Sequence, residues 1–163
     1  MNYGNLAQKT NYTLGSHKLD LGPIYLQSVN IPGINFSHIE TSTRSGARLT
    51  VTGDTLTFNN LSFEMLIDED FKVYFEFMDK VFKNVNPENG TFASQEFDLW
   101  LQFHNNKGNP LFKLNFYNCR IETISDISLD NMSDEVVNTL AVDIKYDYFK
   151  PDTTQEKLQK DFT

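Results

Sequence analysis

Apolar and polar residues alternate with a period of two along much of this 163-residue chain. Residues 97–104 place Phe or Leu at every second position, and residues 111–118 do the same after an Asn- and Gly-containing turn at 105–110. Successive side chains of a β-strand point to opposite faces of a sheet, so this spacing gives each segment one apolar face. The two segments are predicted to pair as an antiparallel hairpin.

A second hairpin is predicted in the first half of the chain. Residues 24–31 form a short apolar strand that ends at the turn pair Pro32-Gly33. Residues 34–40 and 47–53 then flank a segment of small and polar residues at 41–46. This arrangement predicts a long hairpin with a flexible tip.

One helix is predicted after a connection at residues 54–60 and a further strand at 61–67. Its start is marked by Asp68-Glu69-Asp70, because carboxylates near a helix N-terminus accept hydrogen bonds from free N–H groups and suit the helix dipole. It ends before the breaker pair Asn86-Pro87. Apolar residues at helical spacing form one stripe: Phe71, Tyr74, Phe75, Met78, Val81 and Phe82.

The remaining pattern predicts a shorter strand at residues 121–127 and the longest strand at 136–149. The chain has no internal repeat, and it is predicted to consist of an N-terminal arm (1–20), one β-domain (21–150) and a C-terminal tail (151–163). The predicted fold class is β-rich (α+β). It is an antiparallel β-sandwich or barrel in which one flanking helix closes an open end or face of the sheet.

The charge of the chain narrows the classes of partner. The formal net charge is -8, and because residues 1–66 are neutral the whole excess lies in residues 67–163. Such a chain has no general attraction for nucleic acid or for an anionic membrane surface. No apolar run is long enough to span a membrane, and residues 1–30 lack the pattern of a secretory signal. We therefore expect a soluble protein made in a cytoplasm.

Candidate chemistry is sparse. His17, His38 and His104 are isolated from other metal-ligating residues at suitable spacing. Cys119, the single cysteine, lies among strand residues and is predicted to be a small buried hydrophobe. Asp68-Glu69-Asp70 lacks the spacing and the downstream Glu of a calcium loop. We expect no catalytic, metal or cofactor site, and we expect that the chain is not an enzyme.

Several segments, taken in order, resemble one family. These are Ile31-Pro32-Gly33-Ile34 before the polar hairpin, Leu49-Thr50-Val51-Thr52-Gly53-Asp54 within it, and the acidic helix start at residues 68–70. Tyr117-Asn118-Cys119-Arg120-Ile121 and the closing strand at 136–149 complete the set. In order and spacing they are similar to the tail tube proteins of contractile-tailed bacteriophages.

The resemblance implies a ring-forming β-domain with a flanking helix. Six copies would form a ring, and stacked rings would form a hollow tube in the virion tail through which double-stranded DNA passes without specific binding. Tail sheath and baseplate proteins would be its further partners. The tip of the polar hairpin would then contact the adjacent ring through Thr41, Ser42, Thr43, Arg44, Ser45, Gly46, Ala47 and Arg48.

Other functions remain open at this point. Within the same family the chain could be a baseplate tube initiator or junction protein, a position that its Asn-rich arm and its tail at 151–163 favour. A tube component of a bacterial secretion system is another alternative. Outside the family, the alternative is a partner- or carbohydrate-binding β-domain, which a stable monomer with exposed aromatic residues in a groove would support.

Overall fold

The computed structural model describes residues 11–16, 18, 26–93, 96–132 and 137–152. In these ranges the chain forms nine strands and one helix. The elements in chain order are β1 (Tyr12–Ser16), β2 (Leu26–Asn30), β3 (Ile34–Ser42), β4 (Arg48–Phe58), β5 (Leu61–Leu66), α1 (Lys72–Asn84), β6 (Phe97–His104), β7 (Pro110–Ile124), β8 (Thr139–Lys145) and β9 (Tyr148–Pro151).

One antiparallel sheet of seven strands carries most of the fold, in the order β1-β6-β7-β8-β5-β2, with β9 also paired to β7. The long strand β7 belongs to two groups of strands: Cys119 pairs with β6, whereas Arg120 pairs with β8. At this transition Asn118 has a φ of 54°, a left-handed conformation that Asn tolerates better than most residues. The predicted β-rich antiparallel fold with one flanking helix is confirmed.

The core is apolar and is built from alternate residues of β5, β6, β7 and β8, as the period-two pattern predicts. Phe116 lies near its centre, with its ring centroid 5.1 Å from Tyr146 and 5.3 Å from Phe149. The most deeply buried side chains are Leu61, Met65, Phe77, Phe97, Leu99, Leu101, Phe116, Cys119, Leu140, Val142 and Ile144.

The inward face of α1 differs from the predicted stripe. Phe77 is fully buried, with its ring 6.2 Å from that of Phe63 in β5, and Val73 and Tyr74 pack beside it. Phe75 and Phe82 are 54% and 47% exposed. The prediction that these two residues share the packed stripe was therefore wrong: α1 is apolar on two faces, and only one of them meets the core.

The start of α1 follows the acidic segment, as predicted, although the acids lie just outside the helix. Phe71 precedes Lys72 with a φ of 54°, and the first turn contains no acidic residue. A carboxylate oxygen of Asp68 accepts a hydrogen bond from the Lys72 backbone N–H over 3.2 Å. Asp68 thus satisfies one of the free N–H groups at the helix N-terminus.

Part of the predicted N-terminal arm is integral to the sheet. Residues 12–16 pair along their full length with β6 as β1, and Leu14 reaches the core with 7% exposure. The backbone ladder holds this segment despite its polar composition. Residues 1–10 and 153–163 lie outside the described residues, so the division into arm, domain and tail stays a prediction.

Three predicted boundaries need correction. Residues 54–58 are part of β4 and not a connection, because they pair with β3 up to Phe58. Residues 121–124 of the predicted strand at 121–127 are the end of β7, which begins at Pro110, and residues 125–127 lie beyond it. The predicted long strand at 136–149 divides into β8 and β9 around a turn at Tyr146 and Asp147, and Val136 lies outside the described residues.

Candidate assembly surface

The hairpin of β3 and β4 forms a two-stranded sheet of its own, separate from the seven-stranded sheet. Its large side chains are exposed to solvent, and Phe36 reaches 66%. Exposed large apolar side chains in such number on one element are typical of interaction surfaces. The exposed apolar residues of the hairpin are Ile34, Phe36, Ile39, Leu49, Val51 and Leu56.

The apolar face of the hairpin changes side along its length. Phe36 pairs with Leu56 near the base, and Ile39 pairs with Val51 nearer the tip. Residues 36 and 39 are an odd number of positions apart, so their side chains point to opposite faces of the strand pair. A bulge lies between the two pairs, where β4 contains extra residues opposite Ser37. The hairpin can therefore cover apolar surface on both of its sides.

Gly53 is required at this bulge. A Cβ placed there would overlap the hydroxyl of Ser37 and lie 2.9 Å from its carbonyl oxygen. The Ser37 hydroxyl accepts a hydrogen bond from the Thr55 backbone N–H over 3.1 Å. The Gly-Asp step noted in the sequence thus lets the two strands approach closely where the apolar face changes side.

The predicted contact loop Thr41–Arg48 forms the tip of the hairpin. Thr43 closes the turn, because its backbone N–H and its hydroxyl both donate to the Ala47 carbonyl over 2.9 Å, and Gly46 takes a φ of 78°. Arg48 pairs with Glu40 at 3.5 Å, whereas Arg44 has no ion-pair partner among the described residues. The role of this loop in contacting an adjacent ring stays a prediction.

A second exposed apolar surface lies on the outer face of α1, which we define as Lys72, Phe75, Asp79 and Phe82. These residues follow one another at intervals of three or four positions and so share one side of the helix. Phe75 contributes to the lining of two shallow depressions, one of about 440 Å³ with three carboxylates in its lining and one of about 420 Å³ formed with residues 124–127 and 129. The acidic depression is lined by Asp70, Lys72, Phe75, Glu76 and Asp79.

Sequence reasoning missed the outer face of α1 as a candidate surface. The available signal was the density of apolar residues in the helix, where Val73 and Phe77 lie on a different side from Phe75 and Phe82. Because a helix with apolar residues on two sides can bury only one against its own sheet, the other side stays exposed.

The residues considered for chemistry do not converge in the described part of the chain, where no group of three His, Cys, Asp or Glu side chains is placed to hold a metal ion. His38 is exposed, His104 hydrogen-bonds to Thr13 at 3.1 Å, and His17 lies outside the described residues. Cys119 is fully buried, as predicted, and burial raises the pKa of its thiol to about 12. A thiol in this state is protonated and poorly nucleophilic at neutral pH.

Within the described ranges, no helix is both long and apolar enough to cross a membrane.

No protein-family model matches the chain, and no curated protein matches it in sequence. Solved structures do match its fold. A chain of the anti-feeding prophage cap (AFP tube terminating cap) is 15% identical with a TM-score of 0.69, and the match covers 93% of this chain and 94% of that one.

Two further matches come from an extracellular contractile injection system, PVC. A chain of its sheath/tube terminator is 14% identical with a TM-score of 0.70, over 91% of this chain and 98% of that one. A chain of its sheath-tube complex is 14% identical with a TM-score of 0.68, and the match covers 90% of this chain and 91% of that one. The chain therefore has the fold of the tube and tube-terminator proteins of contractile injection systems.

Proposed function

We propose that this chain is a structural, non-enzymatic subunit of the tail tube of a contractile particle, and that it assembles with itself into stacked hexameric rings. The observation that carries the proposal is the β3–β4 hairpin, which pairs with no strand of the seven-stranded sheet and exposes apolar side chains on both faces. In a fold shared with tube and terminator proteins, a hairpin of this kind is suited to lie between neighbouring subunits.

The energetics favour a closed assembly over an isolated dimer. Covering the exposed half of each of the six large hairpin side chains is worth about 1 kcal/mol apiece, or roughly 6 kcal/mol per hairpin. Association itself costs on the order of 4–15 kcal/mol. One hairpin contact is therefore marginal, whereas closure into a ring gives every subunit two neighbours and leaves fewer exposed sheet edges.

The proposed channel carries double-stranded DNA without binding it. The net charge of -8 supports this role, because an acidic wall repels phosphates whereas a basic wall holds them strongly. Sheath and baseplate proteins are the other proposed partners. The proposed location is the tail of a virion or of a phage-tail-like particle, after synthesis in the cytoplasm of the host bacterium.

A position at the end of the tube is the second candidate function. It is favoured by the two matched structures that contain tube terminators, with TM-scores of 0.69 and 0.70. The two functions differ in polymerisation: a repeated subunit adds rings without limit, whereas a protein at the tube end stops at one ring or requires a preformed tube.

The proposal is tested by reversing the polarity of the hairpin surface. The double variant Ile39→Asp/Val51→Asp changes two exposed side chains that face each other near the tip, so the monomer should still fold, as judged by circular dichroism. We expect this variant to lose self-assembly in analytical ultracentrifugation. The control Asn106→Asp/Asn109→Asp adds the same two charges at exposed positions in the turn between β6 and β7, outside the hairpin, and should still assemble. Equal assembly by the double variant and the wild type would contradict the proposal.

A further inference from the structure

Two of the apolar surfaces exposed by the described residues lie on different elements. One is the outer face of α1, defined above, with Phe75 and Phe82. The other is the distal hairpin face, which we define as Ile39, Leu49 and Val51, each more than half exposed. If the chain self-assembles as proposed, each copy supplies both surfaces.

The charges around the outer face of α1 favour a second copy of this chain as the occupant of that face. Residues 68–79 contain five acidic residues and one basic residue, Lys72. The hairpin tip at residues 41–48 contains two arginines and no acidic residue. The hairpin tip is thus complementary in charge to the segment that begins the helix, and such complementarity fixes the register of an interface.

The depression beside Phe75 suits an arginine in particular. Its carboxylates come from Asp70, Glu76 and Asp79, and the Phe75 ring forms part of its lining. A guanidinium is planar, donates to carboxylates in pairs and stacks on aromatic faces, so it can use both kinds of group at once. Lysine, a point charge on a flexible stem, would use only the carboxylates.

Arg44 is the side chain in the hairpin that can reach such a site. It lies in the turn at the extreme tip, is exposed, and has no ion-pair partner among the described residues. Arg48 already pairs with Glu40, and these residues lie on the face opposite Leu49 and Val51. Asp79 likewise pairs with Lys83, which leaves Asp70 and Glu76 as the carboxylates available to a partner.

We propose that the outer face of α1 binds the hairpin of a neighbouring copy of this chain, with the distal hairpin face against Phe75 and Phe82 and with Arg44 in the acidic depression. This inference rests on the proposed self-assembly and adds the identity of the surface that receives the hairpin.

Cross-linking between two variants, each with one added cysteine, tests the contact directly. Arg44→Cys and Lys72→Cys proteins are mixed under assembly conditions and treated with a short bis-maleimide linker. Cys119 is fully buried, so it does not compete for the reagent. We expect a dimer linked through positions 44 and 72, identified by mass spectrometry. The control pairs Arg44→Cys with Glu88→Cys, which is exposed beyond the other end of α1, about 20 Å from Lys72 along the helix. It should give little product.

A charge exchange supplies an independent test. Arg44→Glu and Glu76→Lys should each weaken self-association by about tenfold, because like charges then meet in the depression. The double variant restores opposite charges and should return to within about threefold of the wild type. Both positions are on the surface, so circular dichroism should show each variant folded.

The outcomes separate this inference from the proposed function. Assembly without a 44–72 cross-link, or single charge variants that associate like the wild type, would overturn the hairpin–helix contact alone. A chain that stays monomeric at every concentration would overturn the proposed self-assembly and this contact with it.

Discussion

Phe75 and Phe77 are two positions apart on α1 and give opposite expectations for the same substitution. Phe77 is completely buried against Phe63, whereas Phe75 is 54% exposed. Replacing Phe77 by Ala removes a large ring from a packed site and leaves a cavity. Changes of this kind cost about 3–5 kcal/mol in unfolding free energy. Phe75→Ala removes only partial surface burial, so we expect a loss of about 0.5–1 kcal/mol.

The loss at Phe77 is large on the scale of the whole domain, because single domains are stable by roughly 5–15 kcal/mol. Both substitutions introduce the same residue into the same helix, so the gain in helix propensity cancels between them. Urea unfolding followed by far-UV circular dichroism and by the fluorescence of Trp100 gives both free energies. Self-association should show the reverse order: folded Phe75→Ala assembles poorly, although it is the more stable variant. Equal losses of stability at the two positions would refute the assignment of the two helix faces.

Three further changes test particular contacts. Gly53→Ala should lower the free energy of unfolding in urea by about 1–3 kcal/mol, because the added Cβ overlaps Ser37. The control Gly46→Asn, at an open left-handed position, should lower it by under about 1 kcal/mol. Equal losses from the two variants would contradict the close approach at the bulge. Burial raises the pKa of Cys119 from 9.0 and that of Tyr146 from 10.0, in each case to about 12. The contribution of these groups to stability is therefore complete below pH 9 and is lost as the pH rises towards 12. Tyr146→Phe should reduce the loss of melting temperature at alkaline pH, and a pH profile equal to that of the wild type would contradict the role of Tyr146. Cys119 should react with a thiol reagent only after unfolding, and rapid labelling of the native protein would show that the site opens.

The sheet could be predicted wherever one face of a strand is buried. Residues 97–101 and 113–116 alternate because their inner positions, such as Leu99 and Phe116, fill the core, whereas Phe112 on the inward side of the pattern is 38% exposed near the end of the hairpin. The predicted hairpin between them is confirmed by pairs such as Leu101 with Leu114. The burial of Cys119 was predicted from the apolar character of a lone cysteine among strand residues. Alternation does not account for it, because Phe116 and Cys119 are an odd number of positions apart and both are buried, with the left-handed Asn118 between them.

Elements held by backbone pairing or by long-range contacts could not be predicted in the same way. β1 contributes one deeply buried side chain, Leu14, so its composition resembles that of a loop, although its backbone completes a ladder with β6. The extension of β4 to Phe58 depends on pairing across a bulge that local composition does not reveal. The division between β8 and β9 depends on Tyr146, whose hydroxyl donates to the Asn59 carbonyl over 2.9 Å.

The candidate surface was predicted in part. The tip at residues 41–48 was identified from its small, polar residues and its position in a hairpin, and the structure places it at the end of β3 and β4. The exposure of the whole hairpin was not predicted, because Ile39, Leu49 and Val51 have the pattern of a strand packed on its own core. Apolar residues that serve a core and those that serve an interface obey the same periodicity, and only the tertiary structure separates them.

Electron microscopy of the purified protein, together with its mass in solution, tests the central claim most directly. We expect hollow rings with six-fold symmetry, and stacks of rings if the chain is the repeated subunit of the tube. Single rings that do not stack would favour a position at the tube end. A protein that remains monomeric at high concentration, alone and in the presence of preformed tubes, would contradict the proposed function.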